Sequence, residues 1–196
     1  MMGTMSPELE KVTWPRRTAR LTLRPAVADD VDGTWEFRRL PEVTEWMTSA
    51  TQDKEEYRAR FLDPDPLSKT LVVERDGAVV GDLMVALEDA WAQAEVEERG
   101  RRVQAELGWC LHPAHCGQGL ATEAVEELLR LCFVDLGLHR VKAACFADNE
   151  PSWRLMERVG MRREAHTRAD SLHRTGGWLD GMEYAMLADE WRARHG

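Results

Sequence analysis

Apolar side chains recur along this chain with two spacings, and each spacing predicts one kind of element. Alternation of apolar and polar residues, as in RLTLRPA at 20–26, predicts a strand, whereas apolar residues every three to four positions predict a helix. Two apolar runs around the turn Asp76-Gly77 predict a hairpin. The predicted strands are 20–26, two within 69–88, 105–113, 139–146, 161–168 and 177–187, and the predicted helices are 28–40, 52–63, 118–136 and 149–160.

The order of these elements predicts the fold class. Strands and helices follow one another as β-α-α-β-β-β-α-β-α-β-β, which is typical of one α/β domain. Its mixed central sheet would have about seven strands flanked by about four helices. We expect a flexible N-terminal lead at 1–16 and a single domain at 17–196. The polar segment 89–104 is predicted as an exposed, partly helical connection.

The helix predicted at 118–136 has the clearest pattern in the sequence. Its apolar residues fall on one side at intervals of three and four, and its charged residues fall on the other. One face is therefore expected to be buried. The apolar set is Ala121, Val125, Leu128, Leu129, Cys132, Phe133 and Leu136.

Composition narrows the classes of function. Lys plus Arg number 26 and Asp plus Glu number 35, which gives a net charge of −9. This charge argues against nucleic-acid binding, which needs a basic face, and is compatible with a cationic substrate such as an amine. No run of about 18 apolar residues predicts a membrane span, and the N-terminus lacks an apolar signal core, so we expect a cytoplasmic chain. The four cysteines form no CxxC pair and are expected to be free thiols.

A glycine-rich turn stands between a predicted strand and the helix 118–136. Gly117-Gln118-Gly119 lets the backbone turn sharply, and a helix that starts there offers unpaired N–H groups to an anion. A phosphate-binding turn and a plain structural corner both fit this pattern. A P-loop is disfavoured because its lysine is missing, and a GxGxxG dinucleotide fingerprint would need glycine where Thr122 stands.

Potential metal ligands lie beside the same turn. The residues of zinc-binding type are Cys110, His112, His115 and Cys116. All four lie within seven residues, whereas tetrahedral sites usually draw ligand pairs from two separated stretches. We therefore predict no metal site here.

Three stretches together carry a family resemblance. The turn reads Cys116-Gly117-Gln118-Gly119-Leu120-Ala121, a predicted helix that ends at Gly160-Met161 contains Asn149 and Ser152, and GWLDGMEYAMLADEW follows near the end. In this order and spacing they resemble the GNAT-type N-acetyltransferases, and most closely the RimJ/RimL branch, which acetylates protein N-termini. Against the family's acyl-CoA loop, Gln/Arg-x-x-Gly-x-Gly/Ala, the chain matches at Gly119 and Ala121 and departs at Cys116.

The resemblance implies acetyl-CoA as the cosubstrate. In the family, the strands equivalent to 105–112 and 139–146 splay apart, and the pantetheine arm pairs with backbone in the slot. We expect this pairing at Cys110 and Leu111, where an N–H would also hold a developing oxyanion. Asn149 and Ser152 would flank the thiol end. The diphosphate would rest on N–H groups of Cys116, Gly117, Gln118, Gly119, Leu120, Ala121 and Thr122.

The resemblance also directs the search for catalytic groups. An amine must lose a proton before it attacks a thioester, and Glu106 is the candidate base, directly or through a water, with a solvated strand glutamate as the alternative. Many relatives use a tyrosine seven residues after the Asn as general acid, but Met156 stands there. Ser152 is then the candidate acid, with helix capping or cofactor contact as the alternative. A thiol of pKa near 8.5 leaves without much help.

The acceptor is expected beside the loop between the first two predicted helices. Glu42, Glu45 and Trp46 sit where the family's substrate loop runs, and Trp109 is a further candidate, with a solvated loop and aromatic packing as the alternatives. An α-amine, with a pKa near 8, costs about 3 kcal/mol less to deprotonate than a lysine amine. A site without an obvious strong base therefore favours α-amines.

These features lead to one expected function and two alternatives. We expect an N-acetyltransferase that moves acetyl from acetyl-CoA to a primary amine, either a protein N-terminal α-amine or a small-molecule amine, by direct attack in a ternary complex. The alternatives are an acyl-CoA-binding sensor without turnover and a nicotinamide-dependent reductase, the latter disfavoured by Thr122. We expect no metal, nucleic acid or membrane partner, and a homodimer stays open.

Overall fold

The computed structural model describes residues 5–196, and its strands follow the predicted pattern. Within that range the strands are β1 Arg16–Arg17, β2 Thr22–Pro25, β3 Thr70–Arg75, β4 Ala78–Glu88, β5 Gln104–Leu111, β6 Arg140–Phe146, β7 Arg162–His173 and β8 Gly177–Leu187. The sequence pattern did not predict β1, because two residues are too few to show alternation.

The helices include several short ones that periodicity did not predict. Over the described residues they are α1 Val31–Arg38, α2 Pro41–Thr44, α3 Lys54–Phe61, α4 Pro64–Lys69, α5 Leu120–Arg130, α6 Glu150–Arg158 and α7 Ala188–His195. Shorter 3-10 turns lie at Leu9–Lys11, Ala28–Asp30, Ala94–Gly100 and Pro113–His115, and a π-helical turn follows α5 at Leu131–Asp135. The four predicted helices correspond to α1, α3, α5 and α6. Pro64 ends the predicted second helix but begins α4, where its missing N–H is not needed.

The strands form one mixed sheet in the order β1-β2-β3-β4-β5-β6-β8-β7 in the part of the chain that the structure describes. β5 and β6 run parallel, and α5 lies in the connection between them, as a parallel pair requires. The pairs among β1 to β4 and among β6, β8 and β7 are antiparallel. The predicted α/β class is confirmed, with eight strands within residues 5–196 where about seven were expected.

The chain divides into two compact units. One comprises residues up to Val85 together with Gly108–Glu127, and the other comprises Ala86–Leu107 with Leu128–Gly196. The predicted lead at 1–16 and single domain at 17–196 stay predictions. The first four residues of that lead lie outside the described residues, and Leu9 within it is buried.

In the first unit, Leu67 of α4 packs with Ala26 and with Val72 of β3. Val31 and Trp35 of α1 pack with Tyr57 of α3 in a separate buried cluster. At the edge of this core Arg24 donates to both oxygens of Asp30 at 2.7 Å and to Glu74 at 2.7 Å. This network joins β2, β3 and the start of α1.

In the second unit, α6 packs against β6, β7 and β8. Its apolar side buries Leu155, Met156 and Val159, and the Tyr184 hydroxyl of β8 donates to Glu157 at 2.9 Å. These contacts fix α6, whose first turn carries two of the predicted site residues. Among the described residues, no helix combines the length and apolarity that a membrane crossing requires.

Candidate active site

The glycine turn has the geometry that its sequence predicts. β5 ends at Leu111, and after the short turn Pro113–His115 the backbone passes through Gly117 and Gly119, whose φ angles are +71° and +76°. Only glycine adopts such angles readily. The Gly119 carbonyl accepts from Glu123 N at 3.1 Å, so α5 starts directly after this glycine.

The turn is open to solvent, whereas the helix behind it is anchored. Residues 116–119 are exposed, and Leu120, the first residue of α5, is 0% exposed. The first turn of a helix leaves its N–H groups without intrahelical partners, and together with the helix dipole they attract anions. The Cys116 N–H is engaged within the turn, where it donates to Pro113 O at 3.0 Å. Gly117 to Thr122 therefore stay the candidate residues for holding a diphosphate through their backbone.

The end of β5 provides the predicted pantetheine positions. Cys110 is buried, while Trp109 and Leu111 are half-buried, and the next N–H along the chain, that of His112, donates to Val80 O at 2.8 Å. Burial raises the pKa of the Cys110 thiol to about 12. The thiol is therefore unreactive, and the pairing of the Cys110 backbone with pantetheine stays a prediction.

The zinc-type residues beside this turn do not assemble. Cys110 is buried and Cys116 is exposed, while His112 Nδ1 accepts from Ala114 N at 3.0 Å within the same turn. Within residues 5–196, no three His, Cys, Asp or Glu side chains are grouped as a metal site.

Glu106 lies at the end of a short parallel ladder in the second unit. In the described chain, β5 pairs with β6 from Gln104 opposite Arg140 to Glu106 opposite Lys142, although β6 continues to Phe146. Glu106 is half-buried. It lines a small depression of about 130 Å³ together with Arg140, Lys142, Ala143, Ala144, Glu183 and Tyr184.

A lysine keeps a positive charge beside this candidate base. Lys142 Nζ lies 2.9 Å from Glu88 Oε2. The hydrogen bond to Glu88 raises the pKa of Lys142, and the nearby carboxylates of Glu106 and Glu183 add to the effect. Sequence reasoning missed Lys142, although it stands opposite Glu106 in the ladder.

Asn149 and Ser152 lie at the start of α6. Ser152 N donates to Asn149 O at 3.1 Å. Asn149 is the N-cap residue of α6, but its side chain makes no capping hydrogen bond to the described residues. Burial raises the pKa of the Cys145 thiol to about 11, although a hydrogen bond with Ser152 acts in the opposite direction. The structure thus brings Ser152 to Cys145, a neighbour that the sequence did not suggest. Met156 is buried and leaves no acid at the family's tyrosine position.

The predicted acceptor residues lie in and after α2. Glu42 and Glu45 are exposed, and Trp46 is half-buried. Sequence reasoning missed an ion pair in the same unit, in which Arg38 Nε donates to Asp82 Oδ2 at 2.7 Å, with Asp82 4% exposed. The sequence contained a sign of this ion pair, because Asp82 interrupts the apolar run of β4.

Comparisons with known proteins agree on one family. A family model described as "Acetyltransferase (GNAT) domain" matches residues 20–162. The uncharacterized N-acetyltransferase p20 of Bacillus licheniformis is 28% identical over 182 residues, which are 89% of this chain and 96% of p20. The uncharacterized N-acetyltransferase YnaD of Bacillus subtilis is 37% identical over 86 residues, 44% of this chain and 50% of YnaD, so that match spans half of the relative's length.

A solved structure shows the same architecture. The acetyltransferase (GNAT family) from Bacillus anthracis has a TM-score of 0.75 and 25% sequence identity, and the match covers 90% of this chain and 99% of that one. The similarity extends over nearly all of both chains.

Proposed function

This chain belongs to the GNAT acetyltransferase family, whose members take acetyl from acetyl-CoA, and on that premise we propose that it acetylates a primary amine by direct attack in a ternary complex. The observation that carries the proposal is the turn at Gly117 and Gly119. Two left-handed glycines stand directly before α5, inside the segment that matches the family. They leave a backbone surface on which a diphosphate fits.

The residues present suit acetyl-CoA along its length. Backbone N–H groups from Gly117 to Thr122 would hold the diphosphate, and the backbone of Cys110 and Leu111 would pair with the pantetheine arm. Asn149 and Ser152 would lie at the thiol end. The donor set of the turn consists of uncharged N–H groups, which suits an anionic group that approaches the backbone closely.

The chemistry needs one proton acceptor and a leaving thiol. Glu106 would take the proton of the ammonium, directly or through a water, and the amine nitrogen would then form its bond to the carbonyl carbon as the C–S bond breaks. Sulfur would leave as thiolate and take a proton from Ser152 or from solvent, while the acylated nitrogen, which still carries one proton more than an amide, would release that proton to the Ser152 oxygen or to solvent. Because a thiol has a pKa near 8.5, this last step needs little assistance.

We propose an α-amine as the acceptor, in line with the RimJ/RimL branch. The site offers one half-buried glutamate as its base, and an α-amine loses its proton about 3 kcal/mol more easily than a lysine amine. Named relatives include the L-amino acid N-acetyltransferase AaaT of Escherichia coli, 24% identical over 86% of this chain. They also include the ribosomal-protein-S5-alanine acetyltransferase of Vibrio fischeri, a fold match at 18% identity. Both names point to amines on amino acids or peptides. The cytoplasmic location and a homodimer stay predictions.

An acceptor panel tests the proposal. The protein is incubated with acetyl-CoA and, in separate wells, free amino acids, short peptides with free N-termini, a lysine side-chain analogue and a polyamine, and CoA thiol is titrated over time. We expect steady thiol release with peptides or amino acids. Tight binding of acetyl-CoA without release in any well would favour the sensor alternative, and absence of binding would contradict the cosubstrate itself.

Ser152→Ala is expected to lower kcat or raise the KM for acetyl-CoA by about three- to tenfold, because a neutral hydrogen bond contributes about 0.5–1.5 kcal/mol. Steady-state kinetics with saturating amine measures both constants. Ser68→Ala removes a serine hydroxyl that bonds Asp65 O at the surface and serves as the matched control. Normal kinetics for Ser152→Ala would leave that serine a structural residue of α6.

A further inference from the structure

The glycine turn is held from outside by an arginine that precedes β2. Arg20 Nη1 donates to the backbone carbonyl of Gln118 at 2.9 Å. A second terminal nitrogen, Nη2, lies 3.6 Å from the position that a Cβ on Gly119 would occupy. The guanidinium therefore lies against the turn at the peptide that joins these two residues.

Arg20 is itself fixed by the first turn of α5. Its Nε donates to Glu123 Oε2 at 2.7 Å, and its backbone N donates to Glu123 Oε1 at 2.8 Å. The Thr18 hydroxyl donates to the same Oε1 at 2.6 Å. Burial raises the pKa of Glu123, but the hydrogen bonds from Thr18 and Arg20 outweigh it and hold the pKa below its usual range. The carboxylate thus stays ionised and orients the guanidinium.

The hydrogen bond to Gln118 O has a consequence for Gly119. A trans peptide is planar, so the carbonyl of one residue and the N–H of the next point in opposite directions. When Arg20 engages the Gln118 carbonyl, the Gly119 N–H must point away from Arg20. Glycine has no Cβ to restrict its backbone, so without this bond the peptide would be free to rotate.

We propose that Arg20 is a positioning residue for the diphosphate of acetyl-CoA, which aims the Gly119 N–H by holding the Gln118 carbonyl from the opposite side. This inference rests on the proposed function. It concerns a residue outside the acyl-CoA loop, and it assigns Glu123 and Thr18 as the anchors of that residue.

A second arginine provides a matched comparison. Arg75 Nη1 donates to Gln118 Oε1 at 2.9 Å, so it contacts the same residue through the side chain and not through the backbone. The Gln118 side chain also donates to Ala114 O at 3.1 Å. Both arginines add positive charge beside the turn, but only the contact of Arg20 constrains the peptide plane.

The experiment compares ligands with and without the diphosphate. Calorimetry measures the Kd of acetyl-CoA for the wild type, Arg20→Ala, Arg20→Lys and Arg75→Ala. Kinetics measures the ratio of kcat/KM for acetyl-CoA over S-acetylpantetheine, which lacks the diphosphate and the adenosine. We expect Arg20→Ala to weaken acetyl-CoA binding and to lower this ratio by about tenfold or more, as for a lost charge-assisted hydrogen bond. Arg20→Lys should recover part of the loss, and Arg75→Ala should change the Kd less than about threefold.

Several outcomes would overturn the inference. Unchanged binding in Arg20→Ala contradicts it directly. Equal losses for acetyl-CoA and S-acetylpantetheine would mean that Arg20 only supports folding. A loss in Arg75→Ala as large as that in Arg20→Ala would mean that charge alone, not the peptide plane, is decisive. Failure of the wild type to bind acetyl-CoA would instead contradict the proposed function.

Discussion

Gly119→Glu is expected to reduce acetyl-CoA affinity by about 100-fold or more while the protein still folds. The new carboxylate would stand at the mouth of α5, where the diphosphate is proposed to bind, and like charges about 4 Å apart near a protein surface repel by about 4 kcal/mol. The positive φ of Gly119 adds strain of about 1–2 kcal/mol for any other residue. Calorimetry with acetyl-CoA measures the affinity, and thermal unfolding measures the strain.

Two further variants separate charge from strain. Gly119→Ala carries the strain without the charge and should retain most of the affinity. Gly177→Glu places the same side chain on another left-handed glycine, the first residue of β8, where a Cβ would meet nothing within 4 Å. We expect that variant to bind acetyl-CoA normally. Full affinity in Gly119→Glu would remove the phosphate-binding role of the turn.

Glu106→Gln is expected to lower kcat by about 100-fold near pH 7, at the lower end of what a general base contributes, with acetyl-CoA binding retained. The defect should shrink as the pH approaches the pKa of the acceptor, near 8 for an α-amine, because the amine then loses its proton without help. A pH profile of kcat for the wild type and the variant, with one amine from the panel, measures both effects.

Glu183→Gln is the matched control for that variant. Glu183 lines the same depression and also neighbours Lys142, so its removal alters the local charge equally without removing the proposed base. We expect its kcat to stay within about threefold of the wild type. If both variants lose activity alike, charge in the depression matters and Glu106 has no special role; if neither does, the base lies elsewhere.

Periodicity predicted the long elements of this fold and missed those whose reason lies in tertiary contacts. The apolar face of residues 118–136 was read as one helix, and the structure divides it into α5 and the π-helical turn Leu131–Asp135. The segment after Leu187 was not among the predicted elements, yet it forms α7, where Glu190 accepts from the Leu187 N–H. Short helices and two-residue strands contain too few positions for a periodic signal.

In the candidate site, too, some features were predictable from the sequence and others were not. Backbone features were predictable, since glycine readily adopts the left-handed angles that a sharp turn before a helix needs. Side-chain partners were not: Lys142 beside Glu106, Cys145 beside Ser152, and Arg20 beside Gln118 all depend on how strands and helices meet. The local sequence around each residue does not encode how these strands and helices meet.

The left-handed glycines before α5 determine which positions of this turn tolerate substitution during evolution. A binding surface made of main-chain N–H groups depends little on which side chains its residues carry. Drift at Cys116 alters little of the path of the chain, which accounts for a departure from the usual motif at that place. At Gly117 and Gly119 a side chain would strain the left-handed backbone by about 1–2 kcal/mol, so substitutions should accumulate more slowly at these two positions than at Cys116.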